Sequence, residues 1–110
     1  MDWKDSLDHT VSLLKPLRAE QAGVAKGFHA LHNAALAEGA LSAKHKELMA
    51  LAIGISKQCN DCVGFHVKAA IRAGATREEV AEVVNVCVLM NGGPGYMYGD
   101  RAMEAYDQLG

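Results

Sequence analysis

The run EEVAEVVNVCVLM, Glu78 to Met90, is rich in β-branched residues and reads at first as a strand. The residues just before it decide against that. Gly74 is a helix-stop signal, and Thr76-Arg77-Glu78-Glu79 fits a capping box, in which a threonine and the glutamate three residues on each satisfy an orphan backbone donor. Val80, Val83, Val84, Cys87 and Val88 then recur at helical spacing. With this run helical, the fold class reads as all-α. Composition agrees: the chain is 50% hydrophobic but only 5% aromatic, so its apolar mass is Ala, Val, Leu, Ile and Met, which pack helices closely.

The same spacing and punctuation predict about six helices in one domain spanning residues 1–110. Trp3, Leu7, Val11 and Leu14 mark a short first helix, expected to end near Pro16, which lacks the N–H a continuing helix would use. A second stripe from Leu17 runs through Val24, Phe28, Leu31 and Ala35 toward a stop at Gly39. Ser42 is a plausible N-cap for a third helix. There Leu48, Leu51, Ala52 and Ile55 share one face, Met49 and Ile53 make a second apolar side, and the whole is expected to be mostly buried. Glu47 falls at the edge of that core. A fourth helix should start between Cys59 and Asp61 and end before Gly74, with Val63, Val67, Ala70 and Ile71 inward and Lys68 and Arg72 outward. After NGGPG, Asn91 to Gly95, a last helix begins with Pro94 near its start.

A formal charge of −2 with acids and bases interspersed offers no basic stripe for nucleic acid and no polybasic membrane patch. The opening MDWKDSLDHT does not resemble a signal peptide, and no apolar run is long enough to span a bilayer, so a cytoplasmic protein is expected. Three cysteines, an odd number, argue against a disulfide scaffold. In a reducing compartment a CxxC pair is more often catalytic or metal-binding.

That pair lies in KQCNDCVGFH, Lys57 to His66. If a helix begins near Cys59, the two sulfurs stand one turn apart, at a Cα separation of about 5 to 6 Å that a disulfide tolerates. Unpaired N–H groups and the helix dipole at this end favour thiolate. His66, four residues after Cys62, shares its face and can reach the sulfur directly or through one water. Three readings compete. The segment supplies three metal ligands, but the usual second pair is missing and His29, His32 or His45 would have to complete a zinc site. The cysteines could instead be small core residues beside a surface histidine. A CxxC at a helix start fits best with a redox pair.

Glu47, Cys59, Cys62 and His66 form the pattern Ex11CxxCx3H. The surrounding KELMALAIGISKQCNDCVGFHVKAAIRAGATREEVAEVV resembles the alkylhydroperoxidase D-like branch of the carboxymuconolactone decarboxylase superfamily. The likeness covers roughly residues 24 to 108 and includes the AGAT turn and GGPGYMYG. It implies an all-helical fold assembled as a homo-oligomer, hexamer or trimer, and a dithiol peroxidase needing no cofactor or metal. In that reading Cys62 meets the hydroperoxide, Cys59 resolves, and Glu47 with His66 relays protons; a dithiol, lipoyl or thioredoxin-like partner then reopens the disulfide. Two rivals accompany it. One is a decarboxylase-like lyase using the Glu/His pair alone, and the other a non-enzymatic redox-responsive oligomer. Asn60 and Asp61 stand inside the CxxC where the best-studied members carry a histidine, and Asp61 would oppose a thiolate at Cys62 unless it caps the helix.

Elsewhere, Cys87 reads as core packing, and His29 with His32 as a solvated or interface pair. Tyr96, Met97 and Tyr98 suit a substrate pocket and a subunit contact equally. NGGPG lacks the Lys and Ser/Thr of a phosphate loop.

Overall fold

The computed structural model describes all residues 1–110 and contains six helices and no strand: α1 (Trp3–Glu20), α2 (Ala22–Leu36), α3 (Ala43–Ser56), α4 (Asn60–Arg72), α5 (Arg77–Asn91) and α6 (Gly93–Leu109). The valine-rich run is α5, and Thr76 and Glu79 form both halves of the capping box. Ser42 caps α3 by accepting from His45 N.

Helices α3 to α6 pack around one apolar centre, in which Leu51, Ile55, Val63, Val67, Val80 and Ala102 are almost wholly buried. Only the first half of α1 joins that body. Trp3 and Leu7 are buried against Gly64, where an added Cβ would come within 3.0 Å of the Trp3 ring. The Trp3 indole N–H donates to Glu104 Oε1 at 2.6 Å and its backbone N–H to Gln108 Oε1 at 2.8 Å, which fixes the start of α1 to α6.

The structure corrects the expected first boundary. Helix α1 does not stop at Pro16 but runs through it to Glu20, and the break comes at Gln21, with φ −122° and ψ 42°. Pro16 withdraws one donor from the carbonyl of Ser12, yet Ser12, Lys15 and Pro16 are all exposed, so water can take the donor's place. The second helix therefore starts at Ala22, not Leu17, and it ends at Leu36, before Gly39. A second correction concerns α3. Its Leu48, Leu51 and Ile55 are buried as expected, but Met49 and Ile53 are more than half exposed, so one apolar side faces out.

The α1–α2 arm explains the overall shape. Not one residue of α2 is buried, and its stripe of Val24, Phe28 and Leu31 is more than 60% exposed. The radius of gyration, 14.2 Å, accordingly exceeds the value of about 13 Å typical of a compact domain of this size. No helix is long and apolar enough to cross a membrane.

Candidate active site

The site is built at the joint between α3 and α4. Helix α3 closes with Gln58 in the left-handed region (φ 56°), its N–H bonded to Ile55 O and that of Cys59 to Gly54 O, each at 3.0 Å. This turn sets Cys59 at the N-cap of α4, where its sulfur accepts from the N–H of Cys62 at 3.2 Å. Cys59 and Cys62 are joined as a disulfide, with a Cα separation of 5.2 Å. Both residues are half-buried. Gly54 makes the approach possible: a Cβ there would stand 3.1 Å from Cys62 Cβ. Nothing in the sequence reading picked out Gly54, although a glycine inside a helical pattern was the available signal.

One turn beyond Cys62, His66 Nδ1 lies 2.7 Å from Glu47 Oε2. Glu47 is 8% exposed; a carboxylate can only accept, so in this contact Nδ1 is the donor, and in the neutral ring Nε2 is then the acceptor. Glu47, Cys62 and His66 border one cleft of about 550 Å³. Its remaining walls are largely apolar, with Val11 and Leu14 from α1, Phe28 from α2, and Phe65 and Ala69 from α4. The geometry can hold a small substrate against a sulfur, with a base alongside whose tautomer is fixed.

The four residues singled out in the sequence thus come together. Asp61 does not cap α4, since Cys59 sulfur does; its Oδ1 instead accepts from the Thr10 hydroxyl at 3.0 Å, tying α1 to the start of α4. Of the histidines, His32 borders the cleft, His29 pairs with Asn33 and His45 with Ser42. No three His, Cys, Asp or Glu side chains converge as a metal site requires. Cys87 is 2% exposed in the core, and burial pushes its thiol pKa up. Tyr96 and Met97 lie exposed beside a separate shallow surface with Val84 and Met103, and Tyr98 stacks under Arg101 at 4.0 Å. Arg18, on the cleft's rim, was not anticipated, because the expected helix break at Pro16 took it out of line with Thr10 and Leu14.

Comparison with known proteins places this arrangement. The sequence pattern of the carboxymuconolactone decarboxylase family matches residues 22–105. The chain belongs to that family. An uncharacterized protein of Cupriavidus necator is 43% identical over 89 residues, covering 81% of this chain and 79% of its own. One from Haemophilus influenzae is 34% identical over 105 residues, 96% of this chain and 93% of its own. Among solved structures, a carboxymuconolactone decarboxylase family protein from Legionella pneumophila superposes with a TM-score of 0.94 at 37% identity, over 97% of this chain and 96% of that one. A family member from Thermotoga maritima, for which a part in antioxidative response has been suggested, superposes with a TM-score of 0.73 at 26% identity, over 89% of each chain.

Proposed function

We propose that this chain is a dithiol peroxidase that reduces hydroperoxides through a Cys59–Cys62 thiol/disulfide cycle. The observation that carries this is one arrangement: a bridged CxxC at a helix start, with Cys62 opening on a cleft beside the Glu47–His66 pair. In the reduced protein His66 Nε2 takes the proton of Cys62. The thiolate attacks the O–O bond of ROOH, becoming a sulfenic acid, and the proton returns to the departing alkoxide as ROH. Cys59 condenses with the sulfenic acid, releasing water and forming the disulfide. A dithiol of lipoyl or thioredoxin type then restores both thiols and is itself oxidised. Its thiolate has access to Cys62 from the cleft, while Cys59 leaves into the N–H of Cys62, the donor it already engages. The net reaction converts one hydroperoxide and one dithiol into alcohol, water and disulfide. The antioxidative role suggested for the Thermotoga maritima relative agrees with this reading.

The Glu47–His66 pair alone also suits the lyase chemistry for which the family is named. The two readings separate when both thiols are alkylated: a peroxidase stops, whereas a lyase continues to release carbon dioxide from carboxymuconolactone. The direct test supplies a hydroperoxide and a regenerating dithiol and follows turnover, with intact mass and peptide mapping of the product. Steady consumption with loss of two hydrogens at Cys59 and Cys62 is expected. A single stoichiometric oxidation would instead favour a redox-responsive switch.

Self-association is part of the proposal. Val24 and Leu31 of α2 and the outward Met49, Ile53, Val86, Leu89 and Met90 are large apolar side chains that the single chain leaves more than half exposed, a surface suited to a second copy. Light scattering should therefore give a multiple of the chain mass, for which the family resemblance implies a trimer or hexamer.

A further inference from the structure

The cleft above Cys62 has two chemically different ends. Its α1 wall reads Thr10, Val11, Leu14, Arg18. Thr10 holds Asp61, the neighbour of Cys62, so this end of the wall lies at the reacting sulfur. Arg18 follows eight residues later, about 12 Å further along the helix at 1.5 Å per residue. Valine, leucine and phenylalanine side chains line the interval. Past Arg18 the space continues into an outer cleft of about 550 Å³ that shares Arg18, Phe28 and His32. Its other ionisable lining groups are Lys26 and His29, and no acid borders it.

Charge is distributed accordingly. The two acids at the inner end are each engaged, Glu47 by His66 and Asp61 by Thr10. The guanidinium of Arg18 takes part in none of the ion pairs of the fold, and neither does Lys26. An unengaged guanidinium at the far end of an apolar trough is suited to a carboxylate, which it can bind through two parallel N–H donors. Hydrogen peroxide would use none of this; a chain with an acid at one end would use all of it.

We propose that the cleft selects organic hydroperoxides that carry a carboxylate at the end of an apolar chain, the class of fatty-acid hydroperoxides, with Arg18 as the specificity residue and His32 as a second donor. This deepens the peroxidase reading and rests on it. The reaction is unchanged: the O–O bond breaks, the hydroperoxide leaves as the hydroxy acid, and the dithiol supplies two electrons and two protons. Arg18 touches only the carboxylate, so it acts on binding and not on the chemical step.

The test uses the whole chain with a regenerating dithiol and three oxidants: linoleic acid hydroperoxide, its methyl ester, and tert-butyl hydroperoxide, all below micelle-forming concentration. The acid is expected to be preferred to its ester about tenfold, mostly through KM, as befits a charge-assisted contact at a partly open rim. Arg18→Gln should erase that preference by bringing use of the acid down to the level of the ester, while Arg18→Lys should keep part of it. Equal use of acid and ester by the unmodified protein, or an equal loss for all three oxidants in Arg18→Gln, would overturn the assignment. Turnover of tert-butyl hydroperoxide without acid preference removes this inference alone. No turnover of any oxidant removes the peroxidase reading and this inference with it.

Discussion

The joint between α3 and α4 and the joint between α4 and α5 close in the same way. In each, a left-handed residue ends the helix and two backbone bonds reach back over the last turn. At the first joint these are Gln58 N to Ile55 O and Cys59 N to Gly54 O, and at the second Gly74 N to Ile71 O and Ala75 N to Ala70 O. A side chain then caps the next helix. The second joint fills these roles with the residues that stabilise them best: glycine at φ 94°, then a threonine whose hydroxyl accepts from Glu79 N while Glu79 accepts from Thr76 N. The first puts a glutamine at φ 56° and a sulfur at the cap. A non-glycine left-handed residue costs about 1 kcal/mol, and sulfur is a weak acceptor. Local stability is thus given up at the joint that carries the thiols, and kept at the joint that only turns the chain.

The sharpest way to break this comparison is to change the sulfurs. Cys62→Ser should lower hydroperoxide consumption about a thousandfold or more, because the attacking atom is lost. Retained thiol-coupled turnover in that variant would remove the assignment. Glu47→Gln should have a smaller effect, about ten- to a hundredfold, since the ring of His66 stays in place but its tautomer is no longer held by a carboxylate. Thr76, the counterpart of Cys59 as the cap in the second joint, has no part in this chemistry, and Thr76→Ala should leave turnover untouched.

Stability should respond in the opposite sense. Thr76→Ala removes a side-chain cap and should cost about 1 kcal/mol in urea unfolding of the reduced protein. Cys59→Ser replaces a weak cap by a good one and should hold or raise stability by up to about 1 kcal/mol, while halting the cycle at the sulfenic acid. If Cys59→Ser destabilises as much as Thr76→Ala, the two caps are equivalent and the contrast fails. A smaller contrast lies at the left-handed residues themselves, one before Cys59 and two before Thr76. Gln58→Gly should gain, and Gly74→Ala lose, about 0.5 to 1 kcal/mol, because one relieves and the other introduces a Cβ in the left-handed region.

The two joints also differ in how readable they were. Gly74 and the Thr76–Glu79 box are local chemistry, and their roles were plain in the letters. Cys59 at a helix start was equally plain. What placed Glu47 beside His66 was not, since that contact depends on how closely α3 and α4 pack, and a single missing Cβ at Gly54 sets this distance. From spacing alone Glu47 stood at the edge of the core, and only the family likeness gave it a role. Pro16 misled for a related reason. Its rule holds where the freed carbonyl would be buried, and here that carbonyl belongs to an exposed Ser12. The continuous α1 then brought Arg18 to the cleft, which no periodicity count had suggested. The stripe of Val24, Phe28 and Leu31 was read correctly as helical, but a helical period does not say what a stripe faces: Phe28 borders the cleft, and Val24 and Leu31 lie open to solvent in the single chain.

The smallest expected effect concerns pH at the second joint. Hydrogen bonds from Lys44, whose Nζ stands 2.8 Å from Glu79 Oε2, and from the backbone N–H of Thr76 hold the Glu79 pKa below its ordinary value of 4.5. The unfolded chain therefore binds a proton there more readily than the folded one. The contribution of Glu79 is fully present above the ordinary value and is lost as the pH falls toward the lower folded value. Because the carboxylate is exposed, the loss should be small. Asp107, held down by Arg77, titrates in the same acidic direction, so total stability against pH would mix the two. Comparing Glu79→Gln with the unmodified protein isolates the cap: the variant should be slightly less stable at neutral pH, and the gap should narrow as the medium is acidified through 4.5. A gap that stays constant would mean that Glu79 caps α5 as well without its charge as with it. The sulfur-capped joint has no carboxylate in its cap and should show no matching trend in a Gln58→Gly comparison over the same range.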